Sequence, residues 1–252
     1  GVMAVHALMQ QRLGYGFMGW GPIYQPVLGT DEYMSRSLFF GIFGDPNDLA
    51  QILATAIPFA FVMTKRQGLG SWLLGAGATA LLVGGILATR SRGGHLALAV
   101  VAAVMGILLL PRRWMLALIA MVTIGGLVMC AFSGPYMDAS ASDRIDFWGQ
   151  ANREFKQQPF FGVGYLALND YIAEDRAPHN AFVLCYTELG LFGYWFWFTI
   201  LVMAVIGAWR ARVALRGSAQ AEGRYVSRFA GLAIDATMGF LASAYFLSRA
   251  YV

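Results

Sequence analysis

One imidazole and a closely spaced pair of guanidinium groups are the side chains of this chain best suited to chemistry. His179 stands in Ala177-Pro178-His179-Asn180-Ala181-Phe182, a polar loop that runs straight into an apolar stretch. An isolated histidine is more often structural than catalytic, so composition alone argues little. Position argues more. A proline stiffens the approach, and an imidazole with a reference pKa of about 6.5 at a water–lipid boundary can take a proton from a hydroxyl near neutral pH. His6 and His95 are weaker candidates, because capping or packing accounts for them. Arg90 and Arg92 flank Ser91 in Thr89-Arg90-Ser91-Arg92-Gly93-Gly94. Two readings stand for the pair: contact with lipid headgroups, or bidentate binding of a diphosphate. Upstream, Phe43-Gly44-Asp45-Pro46-Asn47-Asp48-Leu49-Ala50 reads as a turn and helix cap, with Asp45 or Asn47 as the cap, and Arg36 adds positive charge nearby.

The elements that must position these groups are apolar. Hydrophobic residues make up 58% of the 252 residues and charged residues 13%, against about 25% charged in a soluble domain. The excess therefore faces lipid. Apolar stretches of about 17 to 25 residues suit a hydrocarbon layer of about 30 Å. Five spans are expected, at 49–64, 72–88, 96–110, 114–132 and 181–208, with a sixth at 229–247. The segment 1–10 reads as the tail of an earlier span. The stretch 73–110 is too long for a single crossing at 1.5 Å per residue. The break at Thr89–Gly94 must then be a hairpin turn, for which the paired glycines are suited. The chain starts at Gly1 and stops just after an apolar run, which reads as a piece of a longer membrane protein, and 1–10 lacks the marks of a secretory signal. The expected fold class is all-α: a polytopic transmembrane helix bundle, taken as one membrane domain over 1–252.

One large polar loop, 133–180, interrupts the bundle. The short basic turns Lys65-Arg66 and Pro111-Arg112-Arg113 are typical of cytoplasmic connections, which puts the loop and the Arg90 turn outside. Within it, Ser142-Asp143 makes a good helix start. Ile145, Trp148, Asn152 and Phe155 follow at helical spacing, and Pro159 ends the pattern. This short amphipathic helix either lies on the membrane with Trp148 and Phe155 as anchors or packs on neighbouring spans. Gly162-Val163-Gly164-Tyr165 reads as a flexible turn, and 170–176 as an exposed loop. Asp235, inside the sixth apolar run, is a functional candidate because intramembrane acids are costly. Cys130 and Cys185 read as small buried hydrophobes. The chain contains no metal-binding pattern, P-loop or dinucleotide fingerprint, so no cofactor, metal or nucleic acid is expected.

Several of these pieces occur together in a known family. Gly44-Asp45-Pro46-Asn47-Asp48-Leu49-Ala50, Ser91-Arg92-Gly93-Gly94, Arg144 with Trp148, Pro159-Phe160-Phe161-Gly162-Val163-Gly164, and Pro178-His179-Asn180 followed by Glu188-Leu189-Gly190-Leu191-Phe192-Gly193 stand in its order. The chain resembles the C-terminal part of the O-antigen ligase and polymerase family of bacterial inner-membrane glycan enzymes. The resemblance implies a metal-independent, inverting glycosyltransferase of the inner membrane, active outside the cytoplasm. Its donor would be a glycan on undecaprenyl diphosphate. Its acceptor would be a hydroxyl of lipid A core, of another repeat unit or of a protein. By the same likeness, His179 is the base and Arg90, Arg92 and Arg144 hold the diphosphate. Arg36, Asp45, Asn47 and Asn180 support them. Members usually have about twice as many spans as are read here.

Other classes remain. A polymerase would use the same donor. A transporter or flippase of lipid-linked sugars would also need arginines, but it predicts repeated halves and charges near the midplane; no repeat is visible and the arginines lie toward one face. A membrane scaffold would use His179 and the arginines only for caps and anchors.

Overall fold

In the computed structural model, residues 1–26, 31–62, 68–109, 138–172 and 180–245 are described. They are mostly helical. Eight α-helices run in order: α1 Val2–Leu13, α2 Pro46–Val62, α3 Leu69–Thr89, α4 Arg92–Leu109, α5 Asp138–Gln157, α6 Leu168–Tyr171, α7 Ala181–Leu215 and α8 Ala221–Ala244. The all-α expectation needs one correction. Between α1 and α2 lies an antiparallel hairpin, β1 Ile23–Pro26 with β2 Tyr33–Arg36, in the register Tyr24 to Ser35 and Pro26 to Tyr33. Its strands are four residues each, too short to show as alternation in an otherwise apolar chain.

Among the described residues, two helices are long and apolar enough to cross a membrane, α3 and α7. The helix α4 is apolar as well, and α2 and α8 cover the expected spans at 49–64 and 229–247 with shifted ends. The expected span at 114–132 lies outside the described residues.

The chain forms two compact units. The first comprises 1–125 and 207–243, the second 126–206 and 244–252. In the first unit α2 packs on α3 and α4, and α1 packs on α3. The buried core joins Leu49, Leu53, Ile57, Leu82, Ile86 and Val101 to a set of alanines, Ala4, Ala7, Ala50, Ala54 and Ala97. Small residues let helices approach, the usual device where lipid gives no hydrophobic drive for association. Gly85 sits where a methyl group would overlap Ala4 and Leu53, and Gly94 where one would overlap Ala50. Helix α8 joins this unit through Phe229 against Phe59, Gly239 against Val101, and a hydrogen bond from Gln51 Nε2 to the Phe240 carbonyl at 3.4 Å.

The hairpin and its flanks close one end of the first unit. Gln10 Nε2 donates to the carbonyls of Trp20 and Gly21, at 3.2 and 3.1 Å, while its oxygen accepts the Leu38 N–H at 3.0 Å. Gln11 donates to Ser37 Oγ at 3.1 Å and to the Ala88 carbonyl at 3.2 Å, and accepts from Ser35 Oγ. Ser37 Oγ donates to the Ala7 carbonyl at 2.8 Å. These bonds satisfy loop backbone that would otherwise be buried unpaired, and they tie β2 to the end of α3.

In the second unit, α5 and the segment 158–171 pack on the first part of α7. Helix α5 starts at Asp138, earlier than the Ser142-Asp143 signal, and runs 20 residues to Gln157. It is thus longer than the short helix expected in the polar loop. Its buried residues are Phe147 and Ala151, whereas Ile145 is exposed.

Candidate active site

The turn between α3 and α4 is built around two arginines. Helix α3 ends at Thr89, and Arg90 takes the left-handed conformation with φ 49° and ψ 33°, its N–H donating to the Leu87 carbonyl at 3.1 Å. A non-glycine residue in that region carries strain of about 1–2 kcal/mol. Ser91 is buried and caps α4: its Oγ accepts the Gly94 N–H at 3.0 Å. Arg90 and Arg92, on either side, are both exposed. The hairpin turn read from sequence is therefore present, but its glycines play a different part. Gly93 and Gly94 are inside α4, and Gly94 serves close packing on Ala50.

Arg36 holds this turn from β2. Its Nε donates to the Thr89 carbonyl at 3.0 Å, one terminal nitrogen to Gln25 Oε1 at 2.9 Å, and the other to Asn47 Oδ1 at 2.9 Å. The same Asn47 oxygen accepts from Ser91 Oγ at 2.7 Å. Asp45 Oδ1 accepts the Asn47 N–H at 2.6 Å, and the Asp45 carbonyl accepts the Leu49 N–H at 3.1 Å. Asp45 is thus the cap of α2, with Pro46 at the first helical position, where its missing N–H is not needed. Asn47 is left to bridge Arg36 and Ser91. Burial pulls the Arg36 guanidinium below its usual pKa; the Asp45 carboxylate opposes this, and the nearby Arg92 charge adds to it. Every nitrogen of Arg36 is thereby engaged within the protein. Arg36, Asp45 and Asn47 hold the turn, while Arg90 and Arg92 are exposed.

The second unit holds Arg144 and Asn180. Arg144 is half-buried on α5. Asn180 is buried, and its Oδ1 accepts the N–H groups of Phe182 and Val183 at 3.0 and 3.2 Å; it is the N-cap of α7. His179, the residue before this cap, lies outside the described residues. Trp148 and Phe155 pack within the unit, on Tyr245 and Tyr186, and Asn152 accepts a hydrogen bond from the Tyr186 hydroxyl at 2.7 Å. Of the two readings of this amphipathic helix, packing on a neighbouring helix describes what these side chains do.

The segment 158–164 is not the flexible turn read from its glycines. Helix α7 is broken at Gly190, with φ 66° and ψ −174°, and 158–164 mends the break. The N–H groups of Val163 and Gly164 donate to the Thr187 and Glu188 carbonyls, both at 3.0 Å. In return Leu191 and Phe192 donate to the Pro159 and Phe160 carbonyls, at 2.8 and 3.1 Å. A methyl group at Gly162 would overlap the Glu188 backbone, and one at Gly190 the Phe160 backbone. Glu188 is buried, and its carboxylate accepts the Leu168 N–H at 3.4 Å. Freed backbone groups inside a long apolar helix must find partners, and this loop supplies them. Gly162, three residues after Pro159, and Gly190, two after Glu188, are the sequence trace of the arrangement.

The other titratable candidates have local explanations or none. His6 is buried among Phe17, Phe39 and Phe40, and its Nδ1 accepts the Phe17 N–H at 2.9 Å, a structural role. Asp235 is fully buried in α8, with neither carboxylate oxygen hydrogen-bonded. Among the described residues, no group of three or more His, Cys, Asp or Glu is placed to hold a metal ion.

Residues 77–198 match the family model described as O-antigen ligase. Over that stretch the chain is similar to the O-antigen ligase family. The match covers slightly under half of the chain and takes in Arg90, Arg92, Arg144, His179, Asn180 and both glycines of the α7 break; Arg36, Asp45 and Asn47 precede it. No curated protein matches the chain. The O-antigen ligase family is one of membrane proteins whose members join lipid-linked glycans to acceptors. The apolar helices α3 and α7 accord with that location.

Proposed function

We propose that this protein is a membrane glycosyltransferase that moves a glycan from undecaprenyl diphosphate to an acceptor hydroxyl, on the outer face of the bacterial inner membrane. The observation that carries the reading is the Thr89–Gly94 turn, within the stretch similar to O-antigen ligases: two exposed arginines on either side of a buried serine that caps α4, in a turn held by a third arginine that is itself fully engaged.

The chemistry is inverting displacement without a metal. His179 takes the proton from the acceptor hydroxyl. The oxygen attacks the anomeric carbon from the face opposite the diphosphate, and the bond from that carbon to the diphosphate oxygen breaks. Negative charge develops on the departing diphosphate, where Arg90, Arg92 and Arg144 stabilise it. Fixed guanidinium groups placed where charge develops are worth about 3–4 kcal/mol each by analogy with oxyanion donors, so arginine substitutes for a divalent cation. Asn180 holds the start of α7 next to the base. Arg36, Asp45 and Asn47 keep the arginine turn in shape.

The test is transfer by the full-length protein reconstituted in liposomes with a lipid-diphosphate glycan and a panel of acceptors: lipid A core, free repeat unit and hydroxyl-bearing peptide. Transfer that persists in chelator and collapses in His179→Ala, with the protein still inserted, supports the reading. Transfer unchanged in His179→Ala, or abolished by chelator, overturns it. The acceptor that is consumed separates ligation from polymerisation.

A further inference from the structure

Helix α7 has 35 residues but is broken at Gly190, and the stretch 191–215 alone rises about 38 Å at 1.5 Å per residue, enough to cross a bilayer core of about 30 Å. The part before the break is not needed for the crossing, and burial sets the two parts apart. Before Gly190, the residues Ala181, Val183, Leu184, Cys185, Thr187 and Glu188 are buried in protein. After it, Leu191, Phe192, Trp195, Phe196, Phe198 and Ile200 are exposed. The break at Gly190 is therefore the boundary between a protein-embedded arm and a lipid-facing span.

The loop that mends this break carries an apolar edge of its own. Phe160 and Phe161 are 68% and 75% exposed, although the flanking backbone is held by hydrogen bonds on both sides. Their exposure is thus a fixed feature of the fold. The edge is continuous with the lipid-facing surface of α7: Phe161 contacts Phe192 at 6.0 Å between ring centroids, and Phe192 contacts Phe196 at 4.9 Å. The aromatics Tyr194, Trp195 and Trp197 follow within two turns, and Trp and Tyr are enriched where a span meets the headgroups. Two exposed phenylalanines on a rigid loop, joined to a span surface at its aromatic rim, fit a lipid interface.

We infer that Pro159–Gly162 is a membrane-dipping wedge whose phenylalanines insert into the bilayer at the headgroup–acyl boundary beside the start of the α7 span. Trp148 and Phe155, the side chains that helical spacing offers as anchors, pack on Tyr245 and Tyr186. The wedge takes their place. It holds the second unit at a set height over the bilayer, and this does not depend on the transfer chemistry.

The test uses the full-length protein in liposomes, on a background with Cys130→Ala and Cys185→Ala. Single cysteines at Phe160→Cys, Phe161→Cys, Ile200→Cys and Arg153→Cys carry a bimane label. Lipids brominated near the top of the acyl chain should quench the labels at 160 and 161 several-fold more than aqueous iodide does. Ile200→Cys, in the span, serves as the lipid reference and Arg153→Cys, exposed on α5, as the aqueous one. Labels at 160 and 161 that follow the Arg153→Cys pattern overturn the inference, as does a disulfide between two copies at 161, which would make the edge a protein contact. The unmodified protein gives a second reading. Lipid bearing a shallow diazirine should leave adducts on the 158–164 peptide as well as on 191–206; adducts on the span peptide alone overturn the wedge.

Discussion

Gly162 and Gly190 stand back to back, each filling the only space left by the other segment's backbone. A methyl group on Gly162 would overlap Glu188 and one on Gly190 would overlap Phe160. Both glycines also adopt positive φ, 70° and 66°. Loop and broken helix are therefore a single unit of structure, and neither glycine is a spacer.

Alanine at either position is expected to be severely destabilising. The left-handed backbone costs about 1–2 kcal/mol, and the clash is with main chain, which no rotamer relieves. Gly162→Ala and Gly190→Ala should each lower the thermal midpoint in detergent by many degrees. Gly149→Ala is the contrast. It lies within α5 with open space where its methyl would go, so it should hold or raise the midpoint, by about 0.5–1 kcal/mol in helix propensity. Equal melting of all three variants would contradict the interlock.

The Arg36 fork predicts a difference between charge and shape. Arg36→Lys keeps the charge but cannot reach Thr89, Gln25 and Asn47 together. It should lose about 1.5–3 kcal/mol, the range for hydrogen bonds from a charged group. Asn47→Asp keeps an oxygen for both Arg36 and Ser91 and should stay near wild type, whereas Asn47→Leu should resemble Arg36→Ala. Chemical denaturation of the purified variants reads this order.

Arg92→Ala should cut glycan transfer by about a hundredfold or more, the typical loss on removing one donor from a developing negative charge. The effect on folding should be small, because the side chain is exposed. Arg92→Lys should recover part of the rate by charge alone, since lysine binds phosphate as a point charge and arginine as a fork. Single-turnover transfer with donor in excess separates the two. Transfer near the wild-type rate in Arg92→Ala would remove the turn from the site.

Asn180 has a cap to lose and a neighbour to misplace. Asn180→Ala should cost about 1 kcal/mol of stability, the usual value for an N-cap. Asn180→Ser and Asn180→Asp retain a cap oxygen and should restore it. If the residue acts only through the cap, transfer follows stability across the three variants. A low rate in a stable Asn180→Ser protein would show that the amide itself touches substrate.

What was legible in the sequence is what length and polarity determine. Helices α2, α3, α4 and the start of α7 fall near the apolar runs because a long apolar run bounded by polar turns favours one continuous helix. The Thr89–Gly94 turn was legible because 38 apolar-rich residues cannot make one crossing. What was not legible came from partners far apart in the chain. Asn47 reads as a cap from its neighbours, yet its oxygen serves Arg36 and Ser91, and only the fold brings β2 and α4 to it. The glycines of 162–164 read as freedom because glycine permits many conformations. Here they are required for contact, which depends on a helix break more than twenty residues away. Ile145 and Trp148 share a helical stripe by spacing, but the stripe that is buried passes through Phe147 and Ala151, because a neighbouring helix decides which face is covered. The short hairpin escaped notice since Tyr33-Met34-Ser35-Arg36 has too few residues to establish a period. His179 is legible from its position alone and lies outside the described residues.

In the proposed site, Arg90 sets folding against function at a single position. Its backbone occupies a conformation that glycine adopts without strain, so Arg90→Gly relaxes the turn while deleting a guanidinium. Laboratory evolution under heat alone is expected to drift toward glycine there. Evolution under demand for glycan transfer is expected to keep the arginine, and the two regimes would diverge first at this codon.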